Sequence, residues 1–162
     1  MKWSVETRDG RRKNDVYDMV KRRRDSIAKG EKHTPLHTLR EILDGTTLTK
    51  EKFSALQKYH ADIAPAPRIV SRRDTHYVRA DVKKFLDEVA VRNATALRCV
   101  DWLKDRGLTQ LTVAEHIGID HSALSKFVTG RTISITKQAM DKLSALVYEL
   151  ENPANERNSH HA

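Results

Sequence analysis

The chain has 162 residues, and its 30 lysine and arginine residues outnumber its 22 acidic residues, so its formal net charge is +8. This length fits one medium domain or two small ones, and the positive surplus favours polyanionic partners, nucleic acid first and an anionic membrane surface second. The single cysteine, Cys99, excludes an internal disulfide, and the lack of an apolar run of about 18 residues excludes a membrane-spanning helix, so we predict a cytoplasmic protein with a small buried side chain at Cys99.

Three helices are predicted before the first proline-rich segment. The first runs from a cap at Asn14 to about Lys29. The second starts at Thr34–Pro35, because proline is favoured at the first helical position, and it ends at Gly45. The third begins after a cap at Thr49. The apolar positions of the second and third helices are Leu36, Leu39, Ile42, Leu43, Phe53, Leu56 and Tyr59 or His60.

A domain boundary is predicted at "IAPAPR", residues 63–68. Two prolines two positions apart cannot lie inside a helix, and each restricts the residue before it to extended geometry. Residues 68–80 carry the one strand-like alternation in the sequence, and they form either a strand or an extended connector. We therefore divide the chain into a basic helical region, a second domain and a flexible tail, with the bounds 1–64, 68–150 and 151–162.

Helical spacing continues after the boundary, so the predicted fold class is all-α. Val82 to Val89 and Ala96 to Leu103 each show one apolar stripe, and Gly107 ends the pattern. The stretch between the two stripes, residues 91–95, is consistent with a kink, a turn or continuous helix. A last helix is predicted over residues 136–150.

Between these helices, the pattern predicts a pair of short helices, Leu111–Ile117 and His121–Val128, joined by a turn. Gly118 lies in the turn, where a positive φ is favourable only without a Cβ. Ala114 lies where the two helices must approach closely, and Asp120 is a natural N-cap of the second helix. The apolar residues expected to form a small core between the helices are Val113, Ile117, Ile119, Leu124 and Phe127.

The other positions of the second helix are expected to face outward. They are polar, short or cationic, and none is acidic: His121, Ser122, Ser125, Lys126 and Thr129. Such a face suits a groove lined with phosphates and base edges. The alternative is a helical hairpin that uses a glycine turn for packing alone.

These residues resemble the helix-turn-helix of the lambda-repressor-like, or Cro/C1-type, family. The family pattern has a glutamine, an alanine four residues later, a glycine four residues after that followed by an aliphatic residue, then a second aliphatic residue and a closing glycine. The matching residues are Gln110, Ala114, Gly118, Ile119, Leu124 and Gly130. The segment "SKFVTG", with Phe127, also has a common form of the family. The resemblance covers about residues 90–150 and implies a lambda-repressor-like DNA-binding domain.

In this family the first helix crosses the DNA backbone, and the second enters the major groove with its N-terminal residues at the base edges. The resemblance therefore makes His121, Ser122 and Lys126 candidate base contacts. Lys126 can reach guanine acceptors, whereas His121 stands where long amides are frequent in the family, so the family's base preference does not transfer. The candidate backbone contacts are Gln110, Thr112, Ser125, Thr129 and Arg131.

The resemblance implies double-stranded DNA as the partner, and a sequence-specific transcriptional regulator, a repressor, that binds as a homodimer. The last helix places Met140, Leu143, Val147 and Leu150 at heptad-like spacing, which predicts either burial against the core or a dimer seam. The alternative function is an interaction protein that uses the helix-turn-helix as a scaffold, such as an antitoxin or an inhibitor. Its protein partner would bind residues 1–64, and it could also regulate its own promoter.

Residues 1–30 hold ten lysines and arginines against five acids, including "KRRR" at 21–24. They form either a solvated helix surface or an arm that adds phosphate contacts. RNA binding by this region is a third, weaker alternative.

The sequence gives little support for a metal site, a catalytic site or a second helix-turn-helix. His33 and His37 straddle a predicted helix start without a cysteine or a carboxylate cluster nearby, so we predict no metal site. No nucleophile-plus-base arrangement stands out, and the six glycines are scattered singly, so we predict no enzyme and no cofactor. A second helix-turn-helix in residues 36–60 fails, because Glu41 and Glu51 would occupy its alanine and leucine positions.

Overall fold

The computed structural model describes residues 21, 22, 24 and 34–153 of the chain. Most of the predicted helix from Asn14 to Lys29 lies outside these residues, although Lys21, Arg22 and Arg24 are helical and exposed. The elements, in chain order, are β1 (Leu36–Thr38), α1 (Leu39–Leu43), α2 (Lys50–Tyr59), β2 (Ile69–Val70), β3 (Thr75–Val78), α3 (Arg79–Asp105), α4 (Gln110–Ile117), α5 (His121–Val128) and α6 (Lys137–Glu151).

The structure is mainly helical and also contains a three-stranded sheet. The prediction of an all-α fold is therefore correct for the dominant class and wrong in omitting the sheet. None of the helices that the structure describes combines the length and the apolar character that crossing a membrane requires.

The chain divides into two compact units. The first contains the described residues up to Lys50 together with Pro65–Lys83, and the second contains Glu51–Ala64 together with the chain from Lys84 onward. The chain passes from the second unit back to the first between Ala64 and Pro65, which lies inside the predicted boundary at residues 63–68. The division nevertheless differs from the predicted regions 1–64 and 68–150, because each unit takes segments from both sides of the prolines.

In the first unit β3 is the central strand, and β1 and β2 pair with it in antiparallel fashion. Leu36 lies opposite Val78 and Ile69 lies opposite His76. The expected second helix from Thr34–Pro35 is therefore wrong over its first turn, which is strand β1.

Helix α1 begins at Leu39 because Thr38 and Glu41 form a capping box. The backbone N–H of Thr38 donates to Glu41 Oε2 at 2.8 Å, and the N–H of Glu41 donates to Thr38 Oγ1 at 3.2 Å. The hydrogen bond from the Thr38 N–H, and next the Thr38 side chain, lower the pKa of the Glu41 carboxyl. The start signal, Thr38, thus lies three residues after Pro35, where the sequence pattern placed it.

The strand alternative is confirmed for part of residues 68–80, because Ile69–Val70 and Thr75–Val78 form the hairpin of β2 and β3. Residues 71–74 connect these strands, and residues 79 and 80 already belong to α3. The open question about residues 91–95 is also resolved, because α3 is one continuous helix of 27 residues. Gly107, with φ +85°, follows its end as expected.

The second unit is built around the helix pair α4 and α5. Helix α4 packs against both α5 and α6, and residues of α3 complete the same core. Elsewhere in this unit the rings of Phe53 and Phe85 meet nearly at right angles, with centroids 5.7 Å apart. The fully or nearly fully buried members of the main core are Ala96, Val100, Leu103, Val113, Ala114, Ile117, Leu124, Phe127, Ile135, Ala139, Met140, Leu143 and Leu146.

Most heptad-like positions of helix α6 pack against the core of the same chain. Met140 and Leu143 belong to the core, whereas Leu150 and its neighbour Tyr148 are exposed. The interpretation as core residues is thus confirmed for Met140 and Leu143, and Val147 packs half-buried against the same core. Cys99 is half-buried against the same core, and this burial raises the pKa of its thiol.

Candidate nucleic-acid interface

The two short helices predicted around residues 111–128 are present, with bounds within one residue of the expected ones. Helix α4 is capped by Thr109, whose side chain accepts a hydrogen bond from the N–H of Thr112 at 3.2 Å. Helix α5 is capped by Asp120, whose carboxylate accepts from the N–H of Ser122 at 3.4 Å. Both starts are therefore set by side chains that satisfy free backbone amides.

The turn between the helices depends on Gly118, which has φ +72° and ψ +35°. Its N–H donates to the carbonyl of Glu115 at 3.3 Å, and the N–H of Ile119 donates to the carbonyl of Ala114 at 3.0 Å. This pair of bonds is the glycine-dependent helix ending known as the Schellman motif. It turns the half-buried Ile119 back toward the core, while Ala114 is buried.

Replacement of Gly118 by alanine should destabilise the protein by about 1–2 kcal/mol, because a left-handed backbone strains a residue that carries a Cβ. The added Cβ would lie 3.3 Å from Lys142 Nζ, the mobile end of a side chain, so the backbone conformation dominates the cost. Chemical denaturation of Gly118→Ala measures the loss. Gly118→Asn is the matched control and should lose less, since asparagine tolerates this conformation. Equal losses in the two variants would contradict this explanation.

Helix α5 ends in the same way at Gly130, where φ is +73°. The N–H of Gly130 donates to the carbonyl of Phe127 at 3.1 Å, and the N–H of Arg131 donates to the carbonyl of Lys126 at 2.7 Å. Between its two ends the helix buries Leu124 and Phe127. Their burial fixes which side of α5 faces solvent.

That solvent side contains the predicted contact residues. His121, Ser122, Lys126 and Thr129 are exposed, whereas Ser125 is half-buried. No acidic residue lies within α5, and the nearest carboxylate, Asp120, is engaged as the cap. The structure thus brings the three proposed base contacts onto one exposed helix surface.

The hydrogen bonds of Ser122 restrict what it can offer a ligand. Its hydroxyl donates to Asp120 Oδ2 at 2.8 Å, so the single hydroxyl proton is already used. The bonds from Ser122 also lower the pKa of Asp120 and keep it an acceptor. Ser122 therefore presents lone pairs outward, which suit the amino groups of adenine or cytosine.

The predicted backbone contacts differ in what they can give to a phosphate, which only accepts hydrogen bonds. Thr129 donates its hydroxyl to the carbonyl of Ser125 at 2.8 Å, and the hydroxyl of Thr112 is bonded to that of Thr109 at 2.9 Å. Gln110 is half-buried at the first position of α4. Arg131 is exposed and brings a full positive charge, so it is the strongest of the five predicted backbone contacts.

One cation at this surface could not be found from the sequence pattern. Lys142 belongs to α6, yet its Nζ lies beside Gly118 in the turn before α5. Only the packing of α6 against α4 places this charge there. It adds to the positive potential around the α4–α5 turn.

A buried polar network holds the segment that follows α5. The ring of His60, just after α2, is fully buried, and its Nε2 lies 2.8 Å from Ser134 Oγ. Arg92 of α3 lies 3.3 Å from the other ring nitrogen and forms two bonds to Asp62, at 3.0 and 2.6 Å. Asn93 of α3 donates to the carbonyl of Ile133 at 2.8 Å. The network links α3 and the end of α2 to the connection between α5 and α6.

The direction of each hydrogen bond in the network follows from one carbonyl. Ile133 can only accept, so the amide nitrogen of Asn93 faces it and the amide oxygen faces Ser134, at 2.7 Å. The hydroxyl of Ser134 faces two acceptors, Asn93 Oδ1 and the Ile135 carbonyl at 3.1 Å, so Ser134 is a donor to them and accepts from His60 Nε2. The remaining ring nitrogen of His60 carries a lone pair that accepts from Arg92. The network thus holds His60 neutral, with its proton on Nε2.

This arrangement explains why a buried serine–histidine pair is structural here. A histidine that activates a serine needs a free Nε2 lone pair to take the hydroxyl proton, and a partner that accepts at Nδ1. In this protein His60 Nε2 is the donor and Nδ1 faces the guanidinium of Arg92. Both residues of the pair are also buried, with Ser134 only 4% exposed.

The network makes stability depend on pH. Burial, and next the charge of Arg92, lower the pKa of His60 below its ordinary value, while the Arg92 hydrogen bonds lower the pKa of Asp62. The unfolded chain therefore binds more protons than the folded one below about pH 6.5, the ordinary histidine value, so stability falls as the pH drops through that point. His60→Gln keeps a donor and an acceptor but does not titrate.

We therefore expect the melting temperature of the wild type to fall between about pH 6.5 and pH 5, and that of His60→Gln to change less over the same range. Circular dichroism melts at each pH measure both. Parallel curves for the two proteins would show that His60 is not the group responsible.

Comparison of the chain with protein-family models, with curated proteins and with solved structures gives no match. Among the residues that the structure describes, no group of three or more histidine, cysteine, aspartate or glutamate side chains could hold a metal ion. His37 lies in strand β1, and His33 lies outside the described residues. The site that can be defined is therefore the exposed surface of α5 together with its flanking cations.

Proposed function

We propose that this protein is a sequence-specific DNA-binding transcriptional regulator, a repressor, which inserts α5 into the major groove of duplex DNA. The observation that carries the proposal is the surface of α5, where exposed polar and cationic side chains occur without an acid on a helix anchored by Leu124 and Phe127. An eight-residue helix is about 12 Å long, comparable with the width of the major groove. The net charge of +8 supports a polyanionic partner.

The roles proposed for the contact residues follow from their chemistry. Lys126 donates to the O6 and N7 acceptors of guanine, and Ser122 accepts from an amino group of adenine or cytosine. His121, at the first position of α5, donates or accepts according to its tautomer. Arg131 and Lys142 neutralise backbone phosphates beside the groove.

We further propose that the protein binds as a homodimer on two half-sites. Near the C-terminus of α6, Tyr148 is 59% exposed and Leu150 is 44% exposed, and neither belongs to the core. Both side chains are apolar surface that a partner subunit would bury. Since Met140 and Leu143 are already used in the core, these two residues are the part of α6 left for a partner subunit.

A footprint on the DNA that flanks the protein's own gene tests the proposal. We expect one protected site with two equivalent halves, whose protection weakens as salt is raised. The Ser122→Ala/Lys126→Ala double variant is footprinted beside the wild type. It should no longer protect that site in preference to the surrounding DNA. Absence of protection at about 50 mM salt, where phosphate contacts are strongest, would count against DNA binding.

A further inference from the structure

The hairpin of β2 and β3 has two adjacent arginines at its tip. The DNA contacts proposed for α5 and its flanking cations do not include them. Arg72 and Arg73 are the two central residues of the connection between the strands, and both are exposed. They belong to the first compact unit, whereas α5 belongs to the second. The tip is therefore a concentration of positive charge within the first unit.

Ser71 and Asp74 hold the tip in a defined shape. The N–H of Ser71 donates to the carbonyl of Asp74 at 2.9 Å, and the hydroxyl of Ser71 donates to the same carbonyl at 2.7 Å. The N–H of Asp74 in turn donates to Ser71 Oγ at 2.9 Å. Three hydrogen bonds thus close the loop directly beneath the two arginines, which reduces the entropy lost when the arginines bind a ligand.

The charge around the tip is strongly one-sided. Residues 68–79 contain four arginines and one acid, Asp74. Among the other arginines of this segment, Arg68 lies 3.8 Å from Asp81 in an exposed ion pair. Arg79 is the first residue of α3, so Arg72 and Arg73 are the two arginines at the tip itself.

Paired, exposed guanidinium groups on a hydrogen-bonded loop match phosphate oxygens, because each arginine offers a fork of N–H donors that can bind two acceptors. We propose that the β2–β3 hairpin tip is a second DNA contact, in which Arg72 and Arg73 bind backbone phosphates of duplex DNA. This inference rests on the proposed function. It adds a contact that is independent of base sequence, whereas α5 supplies the sequence preference.

The test measures DNA affinity of the full chain as a function of salt, on a selected site and on an unrelated duplex. Arg72→Gln/Arg73→Gln should bind about 10-fold more weakly on both duplexes near 0.1 M salt, and the slope of log K against log salt should become less steep by about 1.8. Both arginines are exposed, so circular dichroism should show an unchanged fold. The charge-matched control is Arg98→Gln/Lys104→Gln, which removes two exposed positive charges from α3 and should keep the wild-type slope.

The outcomes separate this inference from the proposed function. If the wild type binds DNA but the hairpin variant keeps its affinity and salt slope, or changes no more than the control, the hairpin contact is overturned while the role of α5 stands. If the wild type binds neither duplex at low salt, both proposals are overturned. A loss confined to the selected site would also contradict the hairpin proposal, because phosphate contacts carry no base preference.

Discussion

Leu124→Ala should destabilise the second unit by about 2–5 kcal/mol, the range measured for leucine truncation in well-packed cores. Leu124 is fully buried in the main core, so its removal leaves a cavity between α5 and the helices that support it. The same packing decides which face of α5 is exposed. We therefore expect weaker DNA binding as well as a lower urea midpoint for this variant.

The matched control is Leu111→Ala, the same chemical change at a side chain of α4 that is 53% exposed. Its free energy of unfolding should stay within about 0.5 kcal/mol of the wild type. Urea denaturation followed by circular dichroism gives both values. Similar losses in the two variants would mean that α5 is not anchored by the core as described.

Lys126→Ala should reduce affinity for the selected DNA site by about 10- to 100-fold, and affinity for unrelated DNA much less. Lys126 is exposed on α5 and lies in its last turn. A lysine that reads guanine contributes discrimination between sequences, and its loss relaxes the preference at one base position. Competition binding with single-base variants of the site measures that change.

Arg131→Ala should affect DNA binding differently from Lys126→Ala. Arg131 is exposed just beyond the end of α5, and we assign it to a phosphate. Its removal should weaken binding to all sequences by a similar factor and reduce the salt slope by about 1. If Lys126→Ala instead gave this uniform pattern, Lys126 would be a backbone contact and the direction of α5 in the groove would need revision.

The α4–α5 pair could be predicted from the sequence because its signals are local. Gly118 and Asp120 each act through backbone groups a few residues away, and the apolar positions of α5 follow the helical period. The exposed positions around Lys126 follow from that period, except that Ser125, also expected to face outward, is half-buried. For the same reason the positions of Gly107 and of α6 were predicted correctly.

The errors arose where distant residues decide the structure. Leu36–Thr38 follows a plausible helix start, yet it pairs with Thr75–Val78, some 40 positions away, and becomes a strand. The nearby capping box at Thr38 was the local signal that could have corrected the start of α1. Strand pairing over such separations leaves little trace in local periodicity.

The support of the site was also hidden in the sequence. His60 and Ser134 are separated by 74 positions and meet only because α2, α3 and the connection before α6 pack in one unit. Lys142 reaches the turn at Gly118 for a similar reason. Each residue looks like an ordinary polar position until the fold gives it a neighbour.

Selection of bound sequences from a random pool of duplex DNA, with the full chain, tests the central claim most directly. We expect enrichment of one palindromic site whose half-sites are centred about 10–10.5 base pairs, or a multiple of that spacing, apart. The Lys126→Ala protein should recover the same site with relaxed preference at one position of each half. A pool that remains unenriched after repeated rounds at low salt, with a protein that is folded by circular dichroism, would contradict the claim that α5 reads DNA.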